Sequence, residues 1–194
     1  MTGAEFLAFE RGAATKHELI NGEVHDMAGG TPTHALIAAN VIGELREHLK
    51  GKPCRPYSSD LRIKVEETGL HTYPDVSVVC GELEFADGER DTVTNPVLLV
   101  EVLSPSTEAY DRGGKFAHYR RMPSLQAYLL ADPFTPRLEL FIRAGDGFWR
   151  LSTAEGLETT LVIEPLGITL AVAEIYRGVK FGPPPPHGAP VQAG

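Results

Sequence analysis

Four segments of the chain carry the apolar pattern expected of β-strands, either alternating or continuous: residues 60–67, 75–80, 97–103 and 127–132. Apolar side chains fill the run VLLVEVL at 97–103 almost completely, which predicts a central strand buried on both faces. The segments RLELFIR and FWRLS predict an antiparallel hairpin, because the turn sequence Gly145-Asp146-Gly147 lies between them.

Two stretches show helical periodicity, residues 31–50 and 107–122. In the first stretch, four apolar residues recur at four-residue spacing along one face: Ile37, Val41, Leu45 and Leu49. Thr31 is placed to cap this helix, Pro32 suits its first position, and Gly51 ends it. A shorter helix is predicted at the N-terminus and another over 171–177.

The N-terminal segment KHELINGEVHDM predicts a tight β-hairpin, because Asn-Gly separates two alternating runs. A two-residue turn at Asn21-Gly22 sets the strand register, which pairs Ile20 with Glu23, Leu19 with Val24, and Glu18 with His25.

The order of these elements predicts the α/β (α+β) class, with a mixed central sheet flanked by helices and additional antiparallel hairpins. We expect residues 1–182 to form a single domain. The remaining residues, 183–194, have the sequence PPPPHGAPVQAG and are expected to be a disordered tail.

Charge and cysteine content narrow the function classes. The chain has 18 Lys and Arg against 26 Asp and Glu, a net charge of −8, which argues against a large non-specific nucleic-acid surface but not against a local basic patch. Cys54 and Cys80 match no metal or redox spacing and are expected to be unpaired, as in a reducing compartment. With no signal peptide or membrane span in the pattern, we predict a cytoplasmic protein without a membrane partner.

Glu101 stands out as a carboxylate inside the predicted central strand. A buried carboxylate must be neutral, paired or bound to a metal, because an unpaired buried charge is costly. Asp75 begins the preceding strand directly after Pro74. Two strands that each carry a carboxylate near an end can bring both to one point, where hard oxygen ligands suit Mg²⁺ or Mn²⁺.

The predicted helix after this strand carries further candidate residues for the same site. Asp111, Lys115 and Tyr119 are spaced by four residues and therefore share one face; a plain surface Asp–Lys pair is the alternative. Gly113-Gly114 weakens a helix but permits close approach by another chain or a ligand. Four basic and two acidic residues over 107–122 give a local charge of +2, which fits a phosphate-bearing substrate.

These motifs, taken together, resemble the Uma2 family of bacterial restriction-endonuclease-like proteins. The resemblance rests on HELINGEV, on His34 opening a helix, on YPDVSVV, on NPVLLVEVLSPST, on D-x-x-x-K-x-x-x-Y and on AYLLADP, and it covers roughly residues 5–180. It implies a restriction endonuclease-like core of the PD-(D/E)xK nuclease superfamily. Asp75 and Glu101 are then the two acidic positions, whereas Leu103 stands where the superfamily lysine belongs, which implies that Lys115 replaces it from the following helix.

The same residues suit phosphodiester hydrolysis, which needs a positioned water, a Lewis acid and stabilisation of developing charge. Asp75 and Glu101 are expected to hold Mg²⁺ or Mn²⁺ with the backbone carbonyl of Val102, while Lys115 orients or activates water or stabilises charge. Glu18 is either a further ligand, direct or through water, or a surface hairpin residue facing His25. Asp111, Tyr119 and His34 are expected to support these site residues, and His17 is a weaker candidate for the site.

The expected function is therefore a metal-dependent endonuclease acting on DNA, working as a homodimer because two sites cut two strands most simply. One alternative is the same fold kept as a nucleic-acid-binding or protein-interaction module with a vestigial site. Another is a nuclease acting on RNA or on nucleic-acid ends.

Overall fold

Two β-sheets, a separate hairpin and five helices make up the part of the chain that a computed structural model describes, residues 1–27, 29–86 and 90–182. The strands, in chain order, are β1 (His17–Ile20), β2 (Glu23–Asp26), β3 (Cys54–Ser58), β4 (Arg62–Val65), β5 (Leu70–Thr72), β6 (Val76–Cys80), β7 (Thr92–Val93), β8 (Pro96–Val102), β9 (Ala127–Ala131), β10 (Arg137–Arg143), β11 (Trp149–Glu155), β12 (Thr160–Ile163) and β13 (Ile168–Ala171). The helices are α1 (Gly3–Glu10), α2 (Pro32–His48), α3 (Glu108–Tyr110), α4 (Phe116–Tyr119) and α5 (Val172–Ile175). A π-helical turn, Asp111–Lys115, joins α3 to α4, and a 3₁₀ turn, Glu164–Leu166, precedes β13.

The larger sheet has six strands in the order β11-β10-β9-β8-β6-β3. Strands β8 and β9 are parallel and the other neighbours are antiparallel, so the predicted mixed sheet is confirmed. Strand β8 lies inside the sheet and is buried along almost its whole length, as its apolar run predicts. Its alternate residues face opposite sides, with Val100 and Val102 in one apolar cluster and Leu99 in the other.

Helix α2 covers one face of this sheet. Its apolar stripe from Ile37 to Leu49 packs against strands β3, β6 and β8, together with β13 and α5. The predicted bounds hold closely, since Thr31 accepts a hydrogen bond from the His34 amide and Pro32 takes the first position. Each fully buried aliphatic side chain of this stripe contributes about 1.5–3 kcal/mol.

The opposite face of the larger sheet packs against a five-stranded sheet of order β2-β1-β5-β4-β7. Its β1–β2 hairpin has the predicted register, and both turn residues adopt left-handed conformations, with φ of 51° at Asn21 and 85° at Gly22. Strand β1 also pairs with β5, through Leu19 and His71. The side chains between the two sheets include those of Glu18 and Glu101, which are both buried.

The helix predicted over 107–122 is not continuous. Its central turn, Asp111–Lys115, is π-helical, with α3 before it and α4 after it. Gly114 explains part of the irregularity, because a Cβ atom at this position would lie 2.7 Å from the ring of Tyr110. Gly114 therefore permits close approach by a side chain of the same segment.

A disulfide joins Cys54 to Cys80, so the expectation that both cysteines are unpaired is wrong. The two residues are direct partners across the antiparallel β3–β6 pair, with Cα atoms 3.9 Å apart. A separation of 26 residues matches no recognisable motif, and strand β3 has too weak an apolar pattern to reveal its register.

Within the described ranges, no helix has both the length and the apolar character needed to cross a membrane. The Pro-rich tail predicted over 183–194 lies outside the described residues.

Candidate active site

The register between β6 and β8 brings the two predicted carboxylates together. Val76 is paired with Val100, so Asp75, one residue earlier, lies opposite Glu101 at the end of the antiparallel pair. The backbone amide of Val102 donates a 2.7 Å hydrogen bond to Asp75 Oδ2. The two carboxylates thus meet at one edge of the sheet although 26 residues separate them in the chain.

Glu101 is 5 % exposed and lies among polar groups on the face shared by the two sheets. The hydroxyl of Tyr119 donates a 2.7 Å hydrogen bond to Glu101 Oε1, and Lys115 Nζ lies 3.3 Å from the same oxygen. Burial raises the pKa of Glu101 to about 8, and nearby carboxylates including Asp75 add to the rise, while the Lys115 ammonium opposes it.

Lys115 is the centre of a buried charge cluster. Its Nζ lies 3.2 Å from Asp111 Oδ1, 3.3 Å from Glu101 Oε1 and 3.5 Å from Glu18 Oε1. Burial alone would lower the pKa of Lys115, but the charges of the three carboxylates outweigh it and raise this pKa well above its usual value. The side chain is therefore held as an ammonium ion.

Glu18 reaches this cluster from strand β1 of the smaller sheet. Its backbone is paired with His25, as predicted, but its carboxylate points inward and accepts a hydrogen bond from the Thr72 hydroxyl on β5. The residue is 9 % exposed, which is unusual for a glutamate in a hairpin. Of the two alternatives drawn from the sequence, the structure places Glu18 beside Lys115 rather than at the surface.

His34, in the first turn of α2, is a further partner of Asp75. Its Nε2 lies 3.2 Å from Asp75 Oδ2, the oxygen that also accepts the hydrogen bond from the Val102 amide. Burial lowers the pKa of His34, but the hydrogen bond and charge of Asp75 outweigh it, so the net effect raises this pKa.

Tyr110 belongs to the same cluster, although the sequence pattern did not indicate it. Its ring lies over the ammonium of Lys115, with Nζ 5.7 Å from the ring centroid. The phenol oxygen is buried and has no hydrogen-bond partner among the described residues. Burial and the charge of Glu18 raise the pKa of Tyr110 to about 12, so the hydroxyl keeps its proton and can act as a donor.

The remaining candidates lie elsewhere. His17 Nδ1 contacts Glu10 Oε2 at 2.9 Å, in a separate buried network beside α1. The basic face predicted over 107–122 is divided, since Arg112 pairs with Glu108 and Glu139, whereas Arg120 and Arg121 line a separate cleft.

A divalent cation is the group that this donor set would fit. Among the described residues, no three His, Cys, Asp or Glu side chains are arranged as a metal cage. Mg²⁺ does not require one, because it commonly takes one or two carboxylates and keeps several waters. Asp75 and Glu101 lie opposite each other at the strand ends. Within the described residues, each carboxylate uses only one of its two oxygens for hydrogen bonds and ion pairs, Oδ2 of Asp75 and Oε1 of Glu101, so the second oxygen of each could bind a cation.

Comparisons with known proteins agree with this architecture. The chain is 38% identical over 177 residues to an uncharacterised protein of Synechocystis sp., slr1290, covering 91% of this chain and 92% of the relative. A second uncharacterised Synechocystis protein, sll1609, is 37% identical over 156 residues, which cover 80% of this chain and 88% of the relative. A crystal structure described as "a putative nuclease belonging to DUF820" from Anabaena variabilis has the same fold, with a TM-score of 0.75 at 16% identity, over 91% of this chain and 97% of that one.

A family model matches most of the chain and not only the short motifs named above. The model of Uma2, described as "Putative restriction endonuclease", matches residues 4–173. That range includes both sheets and every residue of the buried cluster around Lys115. The resemblance inferred from the motifs is thereby confirmed, and the chain belongs to the Uma2 family.

Proposed function

We propose that this protein is a Mg²⁺- or Mn²⁺-dependent endonuclease that hydrolyses phosphodiester bonds of DNA. The observation that carries the proposal is the buried Lys115 ammonium, held 3.3 Å from Glu101 at the strand end that Asp75 also occupies. A buried cation beside two paired carboxylates suits a substrate that is itself an anion. Membership in a family described as "Putative restriction endonuclease" supports the reaction class.

Asp75 and Glu101 are the proposed metal ligands, with the Val102 carbonyl as a third and Glu18 as a further carboxylate, bound directly or through water. A bound divalent ion would polarise the scissile phosphate and lower the pKa of its water ligand. Val102 links the two acidic residues, since its amide already fixes Asp75 Oδ2 at 2.7 Å. This hydrogen bond holds one carboxylate in position before any ligand arrives.

Lys115 is proposed to stabilise negative charge and orient the attacking water. Three carboxylates surround its ammonium, so it is a donor of charge-assisted hydrogen bonds and not a general base. Asp111 positions Lys115 from the preceding turn, and Tyr119 positions Glu101 through its 2.7 Å hydrogen bond. His34 positions Asp75 in the same manner.

A homodimer and a cytoplasmic location remain predictions for this protein. The Cys54–Cys80 bond removes the argument from unpaired cysteines, whereas the nuclease family still supports the cytoplasmic prediction.

Two measurements test the proposal. Titration calorimetry with Mn²⁺ is expected to show specific binding that Glu101→Gln removes and Glu164→Gln preserves, because Glu164 is a surface carboxylate paired with Arg150. Supercoiled plasmid, linear duplex and RNA are then incubated with Mg²⁺ or Mn²⁺. Nicking of the circular DNA that requires metal and Glu101 supports an endonuclease. If the wild type neither binds the metal nor cleaves nucleic acid, the endonuclease proposal is contradicted and the vestigial binding module is favoured.

A further inference from the structure

A concave surface lies between α4 and the β10–β11 hairpin. This aromatic–arginine cleft has a volume of about 520 Å³ and is lined chiefly by Phe116, Arg120, Arg121, Arg143, Phe148 and Trp149. Phe116 directly follows Lys115 in the chain. One short helical segment therefore presents Lys115 to the buried cluster and Phe116 to the cleft.

The charge of the cleft is opposite to that of the whole protein. Among the described residues, three arginines line it and no aspartate or glutamate does, whereas the chain carries a net charge of −8. Arg143 is fixed by hydrogen bonds to the carbonyls of Leu125, Arg120 and Met122, and its guanidinium stacks 4.7 Å from the Trp149 ring. These contacts occupy the donors on Nε and Nη2, fix the guanidinium in place, and leave its positive charge in the cleft.

The other two arginines are available to a ligand. Arg121 forms an exposed ion pair with Glu67, which contributes at most about 1 kcal/mol and exchanges readily for a stronger anion. Arg120 forms no hydrogen bond or ion pair through its side chain with any described residue, and it lies at the end of α4, four residues after Phe116. A guanidinium in this state can bind a phosphate through two parallel hydrogen bonds.

The aromatic residues differ in how firmly they are held. Trp149 packs edge-on against Phe116, which also stacks on Tyr128, so this wall of the cleft is rigid. Phe148, at the end of the hairpin turn, is 73 % exposed and forms no aromatic contact with the described residues. Its exposed ring therefore offers a flat apolar face to a ligand beside the arginines.

We propose that this cleft binds an unpaired segment of a nucleic-acid strand, with a base stacked on Phe148 and adjacent phosphates bound by Arg120 and Arg121. Aromatic side chains that stack bases, combined with cations that bind the backbone, are the usual chemistry of single-strand binding. A paired duplex keeps its bases stacked inside, so it offers no free face to Phe148. The proposal names the substrate form of the proposed nuclease and therefore rests on that function.

Trp149 provides a local probe, because it is the only tryptophan in the sequence. The full-length protein, in EDTA to prevent cleavage, is titrated with a deoxythymidine oligomer of about 15 nucleotides. Saturable quenching of Trp149 fluorescence is expected. Phe148→Ala should weaken binding by about 5- to 150-fold, the usual effect of losing one stacked base. Arg120→Gln should weaken binding and lower the slope of log affinity against log salt by about 0.7.

Two matched controls accompany these variants. Leu157→Ala removes an exposed apolar side chain from another loop, and Arg177→Gln removes a surface charge that is paired with Glu174. Both should bind the oligomer as the wild type does. A duplex of the same length and a polyglutamate peptide are titrated in parallel. The proposal is overturned if the duplex binds as tightly as the oligomer. It is also overturned if the peptide quenches Trp149 fluorescence and the oligomer does not.

The test separates this cleft from the candidate active site. If the wild type cleaves DNA but Trp149 does not respond and Phe148→Ala leaves the KM unchanged, the cleft proposal fails and the nuclease proposal stands. If Trp149 responds and Phe148→Ala weakens binding while no nucleic acid is cleaved, the nuclease proposal fails and the binding cleft stands.

Discussion

His34 Nε2 lies 3.2 Å from Asp75 Oδ2, the same carboxylate oxygen that accepts the hydrogen bond from the Val102 amide. His34 thus contacts one of the carboxylates proposed to bind the metal. Removing a side chain that orients a metal ligand typically lowers metal affinity or activity by 10- to 100-fold, so we expect about that loss of Mn²⁺ affinity in His34→Ala. Titration calorimetry measures the change.

A control and a rescue variant distinguish this positioning role from a general effect on α2. His48→Ala alters an exposed histidine on the same helix, paired only with Glu44, and should leave Mn²⁺ affinity unchanged. His34→Gln should restore part of the affinity, because the amide N–H can still donate to Asp75. Tighter Mn²⁺ binding in His34→Ala would show instead that the imidazole competes with the metal.

Glu18→Gln tests whether the hairpin glutamate takes part in the reaction. The carboxylate lies 3.5 Å from Lys115 Nζ and is buried, so its neutralisation removes one negative charge from the cluster. We expect a loss of turnover of about tenfold or more, with weaker Mn²⁺ binding if the residue is also a ligand. Glu23→Gln, on the exposed strand of the same hairpin, is the control and should cleave DNA at the wild-type rate. Wild-type turnover in Glu18→Gln would assign the residue to folding alone.

Much of this site follows from local patterns in the sequence. The Asn21-Gly22 turn places Glu18 in the correct register, and the apolar run of β8 indicates that Glu101 is buried. Asp111, Lys115 and Tyr119 share a helical face because their spacing of four residues survives the π-helical turn. Each of these features depends on a short stretch of chain, where periodicity is informative.

Other parts depend on long-range packing that no local pattern shows. The smaller sheet brings Glu18 onto Lys115 from 97 residues away, and Cys54 meets Cys80 only through the β3–β6 register. Tyr110 lies five residues before Lys115, which in a regular helix puts the two on different faces, whereas a π-turn brings positions i and i+5 together. The Gly113-Gly114 pair was the one available sign of that irregular turn.

Lys115→Ala should lower the stability of the protein while leaving Mn²⁺ binding in place. Removing the ammonium leaves Glu101, Glu18 and Asp111 buried without their counter-charge, a change that typically costs about 3–5 kcal/mol. We expect a lower Tm without metal, a partial recovery of Tm when Mn²⁺ is added, and a loss of cleavage of about 100-fold or more.

Lys64→Ala, a variant of a lysine on strand β4, serves as the comparison for Lys115→Ala. It should cleave DNA normally and show no Mn²⁺-dependent recovery of Tm beyond that of the wild type. Full turnover by Lys115→Ala would mean that the lysine of the superfamily pattern is not supplied from this helical segment.

Tyr110→Phe and Tyr119→Phe are expected to have different effects on the free energy of unfolding. The Tyr110 hydroxyl is buried without a partner among the described residues, so its removal should leave the free energy of unfolding within about 0.5 kcal/mol of the wild type. It should nevertheless reduce turnover if the hydroxyl contacts substrate or water. Tyr119→Phe loses a hydrogen bond to Glu101 and should be destabilised by about 1.5–3 kcal/mol. Urea unfolding and initial cleavage rates provide the comparison.

Gly114 and Gly113 form a matched pair for testing the π-helical turn. A Cβ at Gly114 would lie 2.7 Å from two ring carbons of Tyr110, whereas a Cβ at Gly113 would meet nothing within 4 Å. Gly114→Ala must displace the Tyr110 ring from Lys115 and should cost about 1–3 kcal/mol of unfolding free energy, with a loss of cleavage activity. Gly113→Ala should be neutral or stabilising by up to about 1 kcal/mol, because alanine favours helix. Equal effects of the two substitutions would show that the close approach of Tyr110 does not determine the shape of this turn.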